Sequence, residues 1–165
     1  MIIAVTYVII SFLLDSIMSN ITAFNLVDPS WFKTIYSIVS LVIIYNYFDN
    51  QKKYLSILIV LGIFFDIVYT NTFILNIVVF FVIYLILSKL DYMITTNIFT
   101  INLKSIVCIS SYHILTYIIL LLANYNNYSI KLLGIILLRS LIMTIIYTTI
   151  SYLLMNKIYD NKRIR

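Results

Sequence analysis

Three ionisable residues stand inside runs that are otherwise apolar. Asp66 sits deep inside the stretch Tyr54-LSILIVLGIFFDIVY-Thr70, Asp15 interrupts the first apolar run, and Arg139 interrupts the last. A charge in hydrocarbon is costly and is kept where it has a partner or a task. A carboxylate there can pair with a cation, relay a proton, or cap polar groups. His113, with Ser110 and Ser111 before it and Thr116 after, adds a second conceivable proton carrier, although a histidine satisfied by a neighbouring hydroxyl is the plainer reading. Catalytic constellations are missing from the sequence. Gly62-Ile-Phe-Phe-Asp66 is not the GxGD of intramembrane aspartyl proteases, and there is no HExxH, nucleophile elbow or phosphate-cradling glycine loop. All six acidic residues are Asp, and a single His makes a zinc site improbable. Cys108 is alone, so no disulfide or thiolate metal site is expected. The expectation is a protein that is not an enzyme and carries no cofactor.

The elements that would position these residues are membrane spans. The chain has 165 residues, is 63% hydrophobic and 10% charged, and has a mean hydropathy of +1.07. Soluble domains carry about 25% charged residues, so there is too little polar surface here to cover a globule in water. The sequence predicts one all-α integral membrane domain over 1–165, with six spans at approximately 2–21, 31–48, 54–69, 72–90, 104–123 and 132–158. Each approaches the ~20 residues that cross a ~30 Å core, and the strict alternation of a barrel strand is absent. Ile2 onward reads as a retained first span, without a basic leader. Abundant Ile, Asn and Tyr beside scarce Ala are what AT-rich coding produces, so the fifteen tyrosines are only partly a functional signal. Pro29, the only proline, suits the first turn of span two behind Asp28. Thr70-Asn71 forms a tight turn, and Asp91–Leu103 a longer polar loop.

Charge sets the expected orientation. With six spans, Lys52, Lys53, Lys89, Lys104, Lys157, Lys162, Arg163 and Arg165 fall on one side, against Lys33 and Lys131 on the other. The positive-inside rule then puts both termini in the cytoplasm. It also explains the net charge of +5 without nucleic acid. Tyr45, Tyr47, Tyr54, Tyr92 and Tyr159 would flank the inner boundary; Trp31, Tyr69, Tyr125 and Tyr128 the outer one. At about 1.5 Å per residue, Asp15, Asp66 and Arg139 all reach the outer half of the bilayer. The expectation is a charge cluster in which Arg139 bridges one or both carboxylates, against Arg139 snorkelling outward. Asn76, near the outer end of span four, either hydrogen-bonds across the hairpin or makes a plain helix–helix contact. With two glycines, close glycine-mediated crossings are scarce, and packing should rely on Ser, Thr, Asn and large apolar side chains.

From Asp28-Pro-Ser-Trp31 through Tyr84 the chain resembles the MreD family of rod-shape-determining membrane proteins. The features that carry the resemblance are a proline opening the second span, a span ending in G-x-x-x-D, a brief outer turn, and a tyrosine near the inner end of the next span. Here these are Pro29, Gly62 with Asp66, Asn71, and Tyr84. The run Phe65-Asp-Ile-Val-Tyr-Thr70 is most similar to Gram-positive versions. The chain departs at Ile74-Leu75-Asn76, where the family has Leu-Gly. The resemblance implies a scaffold of the elongation complex, acting in cell shape and peptidoglycan synthesis. Its implied partners are an MreC-like one-span protein, an MreB-like actin homologue, and the wall polymerase and transpeptidase. It also implies a fold similar to the substrate-binding subunits of energy-coupling-factor transporters.

Two other readings compete. A vitamin-binding transporter subunit would share the architecture, but the AxxxA docking motif of those subunits is missing, since only Ala4, Ala23 and Ala123 occur. An enzyme with a buried relay through His113 and Asp66 ranks last. Under the leading reading Asp66, Gly62, Asp15, Arg139, Asn71, Asn76 and Pro29 are structural or partner-docking residues.

Overall fold

A backbone in hydrocarbon must satisfy its own N–H and C=O groups, and helices do so within one segment. The computed structural model describes residues 2–21, 34–48, 50–70, 72, 74–93, 97–124 and 129–163, and its regular elements are all helical. They are α1 (Ile2–Ile21), α2 (Tyr36–Tyr45), α3 (Gln51–Phe65), α4 (Leu75–Met93), α5 (Ile98–Leu122) and α6 (Ile130–Arg163). A single π-helical turn, Asp66–Thr70, continues α3. Five of these segments are long and apolar enough to cross a membrane, with α3 and its π turn counting as one. This is a multi-pass, membrane-type helical architecture.

The exception corrects the expected second span. The helix there is the ten residues of α2 rather than 31–48, about 15 Å long, half of a ~30 Å core. It is also the innermost element. Every residue from Tyr36 to Ile44 is buried, in contact with α1, α5 and α6. A helix apolar on all sides is the kind that a bundle surrounds. Other boundaries shift too. The third span begins at Gln51, where Asn50 Oδ1 accepts from Lys52 N–H at 3.0 Å. The expected loop 91–103 shrinks, because α4 runs to Met93 and α5 starts at Ile98 behind a capping box of Asn97 and Thr100. That box, Asn-x-x-Thr, is legible in the sequence within the expected polar loop.

α6 shows how the bundle coheres. Its buried positions are Leu133, Ser140, Thr144, Thr148, Ser151 and Met155, whereas Leu138, Ile142, Ile145, Ile146 and Ile150 face outward. Small hydroxyl residues thus line the inner face and large apolar ones the lipid face. Without a hydrophobic drive between helices in lipid, close packing and interhelical hydrogen bonds hold them together. Thr34 and Thr144 hydroxyls lie 2.8 Å apart, Ser11 and Tyr147 hydroxyls 2.9 Å apart, and Asn102 Nδ2 donates to Thr149 Oγ1 at 3.0 Å.

The aromatic belt differs from expectation. Tyr54 is a core residue, donating to Leu41 O at 3.2 Å and packed edge-on against Tyr45 at 5.1 Å. Its ring is too large to leave solvated once α2 and α4 close on it. Tyr47 stacks on Tyr159 with centroids 4.3 Å apart and also hydrogen-bonds Asn156.

Candidate functional site: two aspartate-capped helix starts

Asp66 occupies the first position of the π turn and is only 3% exposed. Its Oδ1 accepts from Thr72 Oγ1 at 2.6 Å, from Asn76 N–H at 3.0 Å and from Asn76 Nδ2 at 3.0 Å. Thr70 Oγ1 approaches the same oxygen at 3.4 Å. Asn76 is buried, also donates from Nδ2 to Thr70 Oγ1 at 2.9 Å, and accepts from Tyr112 Oη of α5 at 3.1 Å. Of the two roles open to Asn76, the cross-hairpin one is realised. Asp66 is therefore the N-terminal cap of the following helix. Asn76 is the second residue of α4, and its N–H is one of the donors that a helix start leaves unsatisfied. The negative charge also sits at the positive end of the α4 dipole.

The residue before α4 cannot do this itself. Ile74 has an apolar side chain and a φ of 74°, a left-handed conformation that β-branched residues rarely adopt. Its carbonyl accepts from Val78 N–H at 3.1 Å, so the helix begins there. This is the departure noted in the sequence, and its geometry is one that glycine would take without strain.

Gly62, one turn before Asp66, supplies the approach. A Cβ at this position would lie 2.9 Å from Ile77 Cα, closer than real side chains sit. α4 therefore crosses α3 through a notch that only glycine leaves open. Gly62 and Asp66 are two halves of one clamp: the first admits the start of α4 and the second bonds it.

Asp15 does the same for α2. Its Oδ1 accepts from Tyr36 N–H at 2.8 Å, and its Oδ2 from Ser37 N–H at 2.9 Å and Ser37 Oγ at 2.5 Å. Here again an isoleucine, Ile35, precedes the helix and offers no side-chain cap. Both intramembrane aspartates thus sit late on one helix and cap the start of the next.

For Asp66 the expected bridge to Arg139 is corrected by this geometry: its hydrogen-bond partners are Thr70, Thr72 and Asn76. The ion pair seen among the described residues is Lys104 with Asp91. A hydrogen bond links the neighbourhoods of the two aspartates. Tyr69, three residues after Asp66, donates to Phe12 O, three residues before Asp15, at 3.0 Å. At both aspartates the N–H groups at the start of the next helix donate to the carboxylate. Pro29 and Asn71 lie outside the described residues. His113 packs edge-on against Tyr112 at 5.7 Å, and it is Tyr112 that reaches the Asp66 network.

Sequence reasoning missed a buried cation. The sequence sets Lys104 at the inner start of span five, among the cytoplasmic-side cations, whereas it lies inside α5, 0% exposed, with Nζ 2.5 Å from Asp91 Oδ1 at the end of α4. The earlier start of α5 is what draws it inside.

One further feature borders the clamp. α1 and α3 meet where Phe12 packs against Phe64, Phe65 and Tyr69, and they splay below that point. The resulting wedge, of about 490 Å³, is lined by Val5, Val8, Ile9, Ile57, Val60 and Phe64, among others, with Ser56 as its only hydroxyl.

No family model, curated protein or solved structure matches the chain.

Proposed function

We propose that the chain is a non-enzymatic scaffold of the cell-shape and elongation complex in a bacterial cell membrane, of the MreD kind. The observation that carries this reading is the Gly62–Asp66 clamp. The two residues on which the resemblance rests most are engaged in building the α3–α4 hairpin, through the 2.9 Å notch at Ile77 and the bonds to Asn76. A carboxylate held by fixed donors at a helix start is suited to rigidity.

What that hairpin presents fits a docking role. At the π turn, Ile67 and Val68 are 68% and 52% exposed and point away from the bundle. π turns interrupt the regular helical surface and recur at functional positions. In this reading the π turn and adjoining α3 face receive the span of an MreC-like one-span protein. Through it the chain joins an MreB-like actin homologue and the wall polymerase and transpeptidase. In the same proposal the buried α2 counts as the second of six membrane crossings, which keeps both termini cytoplasmic, in a fold similar to transporter substrate-binding subunits. The apolar wedge between α1 and α3, with one hydroxyl, gives the polar groups of a vitamin little to bind.

The test is co-purification with the host's one-span shape protein in mild detergent. Wild type should retain it, and Asp66→Lys, which replaces the cap with a cation, should lose it. Tight binding of a vitamin by the purified chain, or unaltered shape of rod-forming cells after deletion, would refute the scaffold.

A further inference from the structure

We propose that the wedge between α1 and α3 is a binding site for an anionic phospholipid, with an acyl chain between the helices and the headgroup on Lys52 and Lys53. The argument starts from register. On α3, Lys53, Ile57, Val60 and Phe64 follow one another at steps of four, three and four residues, and Lys52 stands four before Ser56. Residues so spaced share a helix face. The stripe that lines the wedge therefore ends, at its open mouth, in two exposed lysines.

The dimensions fit one leaflet. From Lys53 to Phe64 the helix rises about 16 Å at ~1.5 Å per residue, half of a ~30 Å core. The wedge closes at that depth, where Phe12 meets Phe64 with centroids 6.2 Å apart and Tyr69 bonds Phe12 O. A chain entering from the lysine end thus finds apolar walls for the depth of its own leaflet and a floor of aromatic rings. Lining residues Ile9, Val60 and Phe64 are each about half exposed, so the slot opens sideways to the bilayer.

Charge chooses among lipids. Lys52 and Lys53 also adjoin the start of α3, whose dipole adds positive potential at the same place. An ammonium pair favours phosphatidylglycerol, which is anionic, over zwitterionic phosphatidylcholine; each lysine near such a surface is worth about five-fold in affinity. Ser56 Oγ is turned back to Lys52 O at 3.1 Å, which leaves the mouth to the two ammonium groups.

The experiment is native mass spectrometry of the full chain titrated with dioleoyl phosphatidylglycerol or dioleoyl phosphatidylcholine. Phosphatidylglycerol should bind the more tightly. Lys52→Gln and Lys53→Gln should each weaken it about five-fold, and the double variant about twenty-fold, with phosphatidylcholine unchanged. Both lysines are exposed, so these variants fold. Val60→Trp, at a half-exposed position, should weaken both lipids by filling the slot. Equal binding of the two lipids, or no response to the lysine changes, would overturn the proposal. So would a Val60→Trp variant that binds both lipids normally but loses a co-purified one-span protein, which would assign the wedge to a protein helix.

Discussion

Replacing Asp66 with alanine and with asparagine separates a helix cap from an ion pair. In Asp66→Ala, Thr72 Oγ1 keeps Thr70 Oγ1 at 2.6 Å, and Asn76 Nδ2 keeps Thr70 Oγ1 at 2.9 Å. Asn76 N–H loses its acceptor and has no other among the described contacts. A buried donor left unpaired costs about 1–3 kcal/mol. The weakened side-chain bonds add ~0.6 kcal/mol each, as is typical between helices in a membrane. The expected loss is about 2–4 kcal/mol. Asp66→Asn keeps a carbonyl oxygen for the Asn76 and Thr72 bonds and puts its NH₂ where Oδ2 now lies buried without a partner. It forfeits the dipole term and should cost about 1 kcal/mol or less. For a chain of this size ~1 kcal/mol shifts a melting midpoint by about 2–4 °C. Thermal unfolding of detergent-purified protein should show alanine down by about 4–16 °C and asparagine by about 4 °C at most. Asp66→Arg combined with Arg139→Asp should be no more stable than Asp66→Arg alone. An asparagine variant as unstable as alanine, or a charge swap that rescues, would refute the capping argument.

Other substitutions follow from the same geometry. Gly62→Ala should lower stability by about 1–3 kcal/mol through overpacking against Ile77. Gly134→Ala, where nothing lies within 4 Å of the new methyl, should be neutral or stabilising in the same melt. Ile74→Gly relieves the left-handed φ of 74° and should stabilise by about 1 kcal/mol, with Ile74→Val giving no gain. The Lys104–Asp91 pair should be asymmetric, because Lys104 is 0% exposed and Asp91 36%. Asp91→Ala strands a buried ammonium and should cost up to about 3 kcal/mol, whereas Lys104→Met should cost under about 1 kcal/mol or stabilise. Equal losses for the two would refute the burial argument.

The helices were legible because apolar length is a strong signal; their ends and the fate of their charges were less so. Spans one and four came out close to α1 and α4. Span two did not, because an apolar run that ends up surrounded by other helices reads the same as one that faces lipid. Lys104 reads as the first residue of span five for a related reason: the polar residues from Asp91 to Leu103 suggest loop, although Asn97 and Thr100 announce a helix start. At the site, residue types and depth pointed to Asp15, Asp66 and Gly62. The partners were obscure because backbone N–H groups leave no mark in sequence. A cue did exist, since Ile35 and Ile74 are apolar residues standing where a capping side chain is expected. A helix start with no cap of its own, facing an aspartate on the preceding helix, is a pattern that can be sought. The stripe Ser140, Thr144, Thr148 and Ser151 was likewise readable as the inner face of α6, given how few glycines the chain has.

The proposed docking face is tested most directly by site-specific photo-crosslinking in intact cells. A photoreactive residue at Ile67 or Val68, on the exposed π turn, should crosslink to the single span of the MreC-like protein. The same residue at Ile142, on the lipid face of α6, should not. The Ile67 and Val68 adducts should disappear in Asp66→Ala if the clamp sets that face. Crosslinks from Ile142 alone, or none from either position while the one-span protein is present, would contradict the scaffold reading.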